Sequence, residues 1–254
     1  MIARPLRSGL LILILLSGFS LLPAWDMEFP ALRTPSSLRP AQIVLELPHR
    51  LHDLNGANIG LGLRGRVWSG LELGIDYNRF MLPAIDRARQ EVRAGVSYAY
   101  HLRRILSAEA GVSFFQYDRP DIPEPRRNLL CQLALRSDQF AGFLTGAVNA
   151  AYDGYNKGFG LGLGLDAGLN LELGPVRRVS LFCAYYPVLN PDARVTGSAD
   201  CYAVGLNAAT YGHQFVFLLS NSGALDNRRL MLGSSDSRLS YGFVFRRMLD
   251  LKTM

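Results

Sequence analysis

The stretch that decides the fold is KGFGLGLGLDAGLNLEL, residues 157–173. Every second residue from Phe159 to Leu173 is apolar, and the residues between them are glycine or polar, including Asp166 and Glu172. A helix would scatter these two sets around its circumference, whereas a β-strand places them on opposite faces. The stretch therefore predicts a strand with one apolar face and one face of small and polar residues.

The same alternation recurs along the chain. It predicts twelve strands, at about 42–50, 57–66, 71–80, 91–102, 105–116, 127–136, 140–152, 157–173, 179–188, 201–210, 213–221 and 239–248. Segment 140–152 has the weakest pattern, since Phe140 and Phe143 lie on opposite parities. Most of the segments have the roughly 9–11 residues that a tilted transmembrane strand needs.

The connections between these segments alternate in length. The odd-numbered ones are mostly long, at 81–90, 117–126, 189–200 and 222–238, with shorter ones at 51–56 and 153–156. The even-numbered ones are tight, at 68–70, 103–104, 137–139, 174–178 and 211–212. Outer-membrane barrels have short periplasmic turns and long outer loops. The alternation therefore indicates a barrel whose chain enters from the periplasm.

Alternation alone does not say whether the apolar face meets a core or lipid. Three features favour lipid. The polar parity is rich in glycine, while lysine occurs only at Lys157 and Lys252. The strands exceed the 5–6 residues typical of soluble sheets, and aromatic residues such as Trp68 and Tyr100 lie near strand ends, where a membrane girdle sits. We predict an all-β fold, an antiparallel up-and-down transmembrane β-barrel of about 12 strands, over residues 41–250.

The N-terminus has the features of a secretory signal. Residues 1–25 combine the positive charges of Arg4 and Arg7 with an apolar stretch and a cleavage site at Ala24. The apolar stretch is short for a membrane anchor, which is the alternative interpretation. Residues 26–40 are rich in proline and serine and predict a flexible periplasmic lead-in. The expected location is the bacterial outer membrane, after signal-peptide cleavage.

Two glycine-rich stretches resemble an uncharacterised family of bacterial outer-membrane β-barrel proteins. The first comprises His49-Arg50, residues 54–63 (LNGANIGLGL) and residues 71–75 (LELGI). The second runs from Gly212-His213-Gln214-Phe215 to residues 220–223 (SNSG). The resemblance implies the location and the fold, and it implies no activity.

The inward face of the predicted barrel carries mixed charges. We expect ten residues to line the lumen: Arg64, Arg66, Glu72, Asp76, Arg93, His101, Arg136, Asp166, Glu172 and Asn207. The interior of an eight-stranded barrel is just filled by side chains, so a twelve-stranded barrel leaves space for water, a plug or a ligand. The lead-in is one candidate to fold back into that space. Arginines facing Glu72 and Asp76 predict a transverse field that favours small polar or charged solutes.

The sequence predicts no catalytic residue, metal site or cofactor. It contains no G-x-S-x-G, H-E-x-x-H or C-x-x-C motif. His213 with Ser220 or Ser222 is the one candidate pair for an outer-membrane hydrolase, but Ser220 lies roughly 20 Å along the same strand. His49 and His52 are interpreted as solvated loop residues.

The three cysteines predict no disulfide. Cys131 and Cys183 share the outward parity of their strands and are expected to face lipid. Cys183 and Cys201 lie at different levels of their hairpin.

The pattern favours a narrow passive channel or a structural envelope barrel. A periplasmic ligand-binding barrel and, less favoured, an outer-membrane hydrolase remain as alternatives. The expected partners are outer-membrane lipid, the barrel assembly machinery and a small polar solute. Nucleic acid is not expected, because a net charge of +6 is spread over scattered arginines.

Overall fold

We analysed a computed structural model of the 254-residue chain. It describes residues 38–51, 56–81, 87–103, 106–140, 143–169, 174–190, 197, 199–234 and 239–252. The predicted signal peptide, most of the predicted lead-in and Glu172 lie outside these residues.

The described residues form twelve strands. Their bounds are β1 Gln42–Leu51, β2 Ala57–Arg66, β3 Leu71–Phe80, β4 Gln90–Arg103, β5 Leu106–Arg119, β6 Ile122–Phe140, β7 Leu144–Asp153, β8 Gly158–Leu169, β9 Arg178–Tyr186, β10 Cys201–Ala209, β11 His213–Ser220 and β12 Ser240–Asp250. Each strand pairs antiparallel with its neighbours in sequence, and β1 pairs with β12 to close the barrel. Closure leaves no unpaired sheet edge. The predicted up-and-down barrel is confirmed.

The two faces of the barrel are inverted relative to a soluble protein. Leu163 and Leu165 are 40% and 49% exposed on the outside, whereas Gly162 and Gly164 are buried inside. Large apolar side chains are exposed around the exterior, while charged side chains such as Glu72 are buried within. A soluble ligand-binding barrel would present the opposite arrangement, with polar residues outside. No helix among the described residues is long and apolar enough to cross a membrane.

The rim at which β1 begins and β12 ends, near Gln42 and Asp250, is called the lower rim here, and the opposite rim is called the upper rim. At the upper rim, the prediction of a long loop at 117–126 is wrong. β5 runs to Arg119 and β6 begins at Ile122, so the two strands continue as a tight hairpin. Arg119 donates two hydrogen bonds to Asp121, at 2.9 and 2.5 Å, and these close the turn.

The described part of the long connection between β11 and β12 lies inside the barrel. Its residues 221–234, named the plug loop, turn back into the lumen and include the four-residue helix α1, Asn227–Leu230. The expectation that the connection 222–238 forms an outer loop is therefore wrong for residues 222–234. Arg228 and Arg229 are 1% and 0% exposed. The burial is possible because both guanidinium groups find carboxylate partners inside the barrel.

The last residues of the lead-in enter the lower mouth of the barrel. Leu38 is fully buried and packs against Val44 and Met248. The backbone N–H of Ala41 donates to the carbonyl of Arg66 at 3.0 Å. The rest of the lead-in lies outside the described residues, so its predicted role in filling the lumen stays a prediction.

Candidate functional site

The wall of the lumen differs from one side to the other. In their middle and upper parts, strands β9 to β12 contribute apolar inward side chains, which are Phe182, Ala184, Ala203, Val216, Leu218 and Val244. Nearer the lower rim, the same strands carry the buried polar residues Asn207, Gln214 and Arg246. Strands β1 to β5 contribute charged and polar ones, which are Glu46, Arg50, Arg64, Glu72, Asn78, Glu91, Arg93, Ser97 and Glu109. Both sets follow the inward parity of their strands. The lumen therefore has one apolar wall and one charged wall.

A belt of polar contacts crosses six neighbouring strands, from β3 through β2, β1, β12 and β11 to β10. Arg64 lies 3.6 Å from Glu72 and 3.3 Å from Glu46. Arg246 lies 2.7 Å from the same Glu46 carboxylate. These ion pairs interleave positive and negative charge, since each arginine has a carboxylate on a neighbouring strand. The transverse field predicted from arginines facing Glu72 and Asp76 is therefore not supported in this part of the wall, because positive and negative charges alternate from strand to strand.

The belt continues on the far side of Arg246 through neutral amides. Arg246 donates to Oε1 of Gln214 at 3.1 Å, and Gln214 donates to Oδ1 of Asn207, also at 3.1 Å. Asn207 and Gln214 are fully buried. Buried polar groups are costly unless they are hydrogen-bonded, so these contacts account for amides inside the barrel wall.

A second network, near the upper rim, holds the plug loop. Arg228 lies 3.1 Å from Glu91 on β4 and 3.0 Å from Asp153 on β7. Arg229 lies 2.8 Å from Glu91 and 2.6 Å from Asp226. The plug loop is thereby tied to two strands on different parts of the wall, and it spans the lumen between them.

Arg93 extends this network downwards. Its guanidinium lies 3.3 Å from Glu91 and 3.5 Å from Asp226 of the plug loop. Three arginines thus share three carboxylates, those of Glu91, Asp153 and Asp226. Charge balance of this kind offsets the cost of removing the ions from water.

Aromatic rings of the wall cover the two plug-loop arginines. The Cζ atom of Arg228 lies 4.5 Å from the ring centroid of Phe115, and that of Arg229 lies 4.2 Å from the ring centroid of Phe80. Tyr117 lies within 6 Å of both guanidinium groups. These cation–π contacts are attractive, and more so where water is excluded.

Asp226 is placed where it holds both the helix and the network. Its side chain accepts from the backbone N–H of Arg229 at 3.1 Å and so caps α1. Burial by itself raises the pKa of this carboxyl group, but Arg229, Arg93 and Arg228 lower it further, and the net pKa lies well below the ordinary value. Asp226 is therefore ionised at neutral pH and also in mild acid.

The apolar side of the plug loop faces the lumen wall as well. Leu230, Met231 and Ala224 belong to one buried cluster with Phe182 and Val216 of the apolar wall. The loop therefore presents arginines to the charged wall and aliphatic side chains to the apolar wall. This match holds it inside the barrel without an unpaired charge on the apolar side.

A cavity remains beneath the plug loop, against the charged wall. Its volume is about 140 Å³, which is room for a few water molecules at roughly 30 Å³ each. Arg50, Arg64, Arg93 and Arg246 line it, together with Glu46, Glu72, Asp76 and Glu109. Asp226, Asn227 and Leu230 of the plug loop form its roof. A solute in this cavity would meet both signs of charge.

The residues predicted to line the lumen occupy three regions of the barrel. Arg64, Glu72, Asp76 and Arg93 border the cavity. Asp166 lies on the opposite side, where it accepts from Arg178 at 2.8 Å and from Ser180 at 2.7 Å. Asn207 lies in the polar belt.

The remaining predicted residues lie towards the lower rim. Arg66 and Arg136 are 8% and 6% exposed. His101 is exposed near the lower end of β4, and its Nδ1 lies 2.8 Å from Oγ of Ser107. Glu172 lies outside the described residues.

Sequence reasoning missed several residues of the polar belt and of the network that holds the plug loop. Glu46, Glu91 and Arg246 lie on the inward parity of their predicted strands, and that parity was a sufficient signal to find them. Asp153 fell in the predicted connection 153–156, although it continues the inward parity of β7. Arg228 and Arg229 had no comparable signal. Charged residues in a long connection normally remain in water, so only the folded barrel identifies them as buried.

The structure does not assemble the hydrolase pair suggested by the sequence. His213 begins β11 at the lower rim and Ser220 ends it at the upper rim. Ser220 Oγ donates to the carbonyl of Tyr202 at 2.7 Å. No group of three or more potential metal ligands occurs within the described part of the chain. The three cysteines are free, with Cys131 and Cys183 on the exterior and Cys201 buried.

Comparison with known proteins points to the same architecture. Residues 147–248 match a family model described as a membrane bound beta barrel domain (DUF5777). The solved structure of KdgM porin superposes with a TM-score of 0.53 at 14% identity, and covers 80% of this chain and 98% of KdgM. A NanC porin structure gives a TM-score of 0.52 at 11% identity, over 82% and 99% of the two chains. No curated protein matches the sequence.

One of the similar structures contains a ligand. It is described as KdgM porin in complex with disordered oligogalacturonate, and it has a TM-score of 0.52 at 14% identity, over 80% of this chain and 98% of that one. At such identities the likeness shows the fold alone. Together with the apolar exterior and the family match over 147–248, it confirms that this chain forms a membrane β-barrel of the outer-membrane type.

Proposed function

We propose that the protein is a narrow passive channel of the bacterial outer membrane for small hydrophilic solutes, and that the plug loop sets its width. The observation that carries this proposal is the polar cavity between the charged wall and the plug loop. Twelve strands enclose more space than inward side chains fill. Here a folded segment of the chain occupies part of that space, and charged groups line the rest.

The lining determines which solutes are expected. Interleaved arginines and carboxylates provide hydrogen-bond donors and acceptors over a short distance, whereas an apolar solute would have to desolvate them. Small polar or zwitterionic solutes and ions therefore fit the lumen better than apolar ones. The structure of KdgM porin in complex with oligogalacturonate supports a polar solute for a barrel of this fold.

The experiment is conductance in planar bilayers. The full-length barrel should give small, steady steps, and a variant with residues 224–233 replaced by a short glycine–serine linker should give larger ones. Neutralising Arg64 or Arg93 should change the ion selectivity, because both border the cavity. A parallel deletion of 26–40 distinguishes the lead-in from the plug loop as the obstruction. If none of these proteins conducts, the channel proposal is wrong.

A structural envelope barrel is the second candidate. It is favoured by one observation, the complete burial of Arg228 and Arg229 in ion pairs that tie the plug loop across the lumen. A barrel closed in this way serves as a rigid scaffold rather than a pore. Failure of the shortened-loop variant to conduct would favour this function. The hydrolase alternative has no support from the pair His213 and Ser220, since the two residues lie at opposite ends of β11.

A further inference from the structure

An apolar groove crosses the outer face of the barrel from β3 to β8. Its volume is about 580 Å³. Ala110, Cys131 and Ala150 are small side chains along its course, and Tyr98 stands towards one end while Tyr152 and Phe159 stand at the other. The groove lies within the lipid-facing surface, so its occupant is apolar.

The groove runs obliquely through the membrane-facing band. One end is at Leu71, the first residue of β3, which rises from the lower rim. The other is at Phe159, the second residue of β8, which descends from the upper rim. An apolar groove that crosses six strands suits a flexible hydrocarbon chain that enters from the upper side.

Two cations lie above the upper end of the groove. Lys157, one of only two lysines in the chain, occupies the turn two residues before Phe159 and is exposed. Arg127 is exposed on β6, four residues before Cys131 and on the same outward parity. Its Nε donates to Gln116 at 2.9 Å. Among the described residues, neither cation forms a salt bridge within 4.0 Å.

We propose that the groove and these two cations form a binding site for lipopolysaccharide in the outer leaflet. One acyl chain of lipid A occupies the groove, and Arg127 and Lys157 bind a lipid A phosphate by charge-assisted hydrogen bonds. An acyl chain alone would need no cations, and a zwitterionic headgroup would gain little from two of them. The site rests on the orientation of the barrel in the membrane and is independent of the lumen.

The experiment measures retained lipid on the full-length barrel in detergent by native mass spectrometry, with lipopolysaccharide and phosphatidylglycerol offered in equal amounts. The variant Ala150→Phe fills the groove, and the double variant Arg127→Gln with Lys157→Asn removes the charges. Val204→Phe and Arg79→Gln are matched controls, since both residues are exposed on the outer face and Val204 lies on β10, which contributes nothing to the groove lining. Anomalous gel migration before boiling verifies that each variant is folded.

The native barrel should retain lipopolysaccharide in preference to phosphatidylglycerol. The charge variant should lower that retention about tenfold, the scale of losing one charged hydrogen bond. The controls should behave as the native barrel. Equal retention of phosphatidylglycerol, equal loss in the controls, or no retained lipid would each overturn the proposal. If the Ala150→Phe variant does not fold, the charge variant alone tests the proposal. Bilayer conductance should be unchanged in all of these variants, which separates this site from the proposed channel.

Discussion

Met231 of the plug loop occupies the space in front of Gly160 on β8, where any β-carbon would collide with the methionine side chain. Gly160 therefore faces inward and leaves the space that the Met231 side chain of the plug loop fills. The contact joins a strand to a segment some seventy residues later in the chain, and it fixes how deeply the plug loop enters the lumen.

Replacing Gly160 with valine should displace the Met231 side chain from this space. Overpacking of a buried site costs about 1–3 kcal/mol, and here it acts against the seated plug loop rather than against a strand. We expect larger or more frequent openings in planar bilayers. Gly146→Val is the control, since a β-carbon at Gly146 has no neighbour within 4 Å. Unchanged conductance in Gly160→Val would show that the loop tolerates displacement without opening the lumen.

Arg228→Met should release the plug loop more strongly. The substitution leaves Glu91 and Asp153 with less compensating charge, and breaking a buried pair in this way costs about 3–5 kcal/mol. Conductance should rise, and the temperature at which the folded gel band disappears should fall. Arg87→Met breaks an exposed pair with Asp121 and should cost no more than about 1 kcal/mol. If the two variants behave alike, the buried network does not anchor the loop.

Mild acid should not release the plug loop through Asp226. The pKa of its carboxyl group is lowered in the folded barrel, so the stabilisation is complete above the ordinary value of 3.8 and is lost only as the pH falls below it, towards the lowered pKa. Conductance recorded between pH 5 and pH 8 should therefore show no pH-dependent opening that is lost in the Asp226→Asn variant. An opening near pH 5 that depends on Asp226 would contradict this assignment.

The two faces of β8 should respond differently to charge. Arginine at Leu163, which faces lipid, should cost about 2–4 kcal/mol near the middle of the bilayer. Arginine at Gly162, which faces inward, should cost less if water reaches that part of the lumen. Folding yields in lipid vesicles at increasing urea concentration measure both. A greater loss for Gly162→Arg would show that the lumen is packed solid at this level.

Epitope insertion tests the orientation in the membrane. A tag at 121–124, at the hairpin turn between β5 and β6 and the first residues of β6, should be labelled on intact cells. A tag at Ser69 or Gly174, both in lower turns, should not. A tag within 228–232 should also escape labelling or prevent folding, because those residues are buried in the lumen. Labelling at Ser69 from outside would reverse the orientation.

Local alternation in the sequence determined the strands and their two faces. The glycine-rich polar parity, the strand lengths and the aromatic residues near strand ends then indicated that the apolar face meets lipid. Period-two patterning places Leu163 and Gly162 on opposite faces whatever the neighbouring strands are, so it is readable from one segment alone. Consecutive tight turns then allow little besides neighbour pairing, which leads to an up-and-down barrel. The inward position of Arg64 and Arg93 followed from the same rule.

Only the tertiary structure decided what fills the barrel. The burial of Arg228 and Arg229 depends on Glu91, Asp153 and the rings of Phe80 and Phe115, which lie on strands far away in sequence. No local sequence pattern predicts these contacts. A charged loop normally stays in water, and it is buried only where the folded barrel supplies partners of opposite charge. The sequence pattern therefore determined the strands of the barrel wall, whereas the position of the plug loop was determined by contacts that form only in the closed barrel.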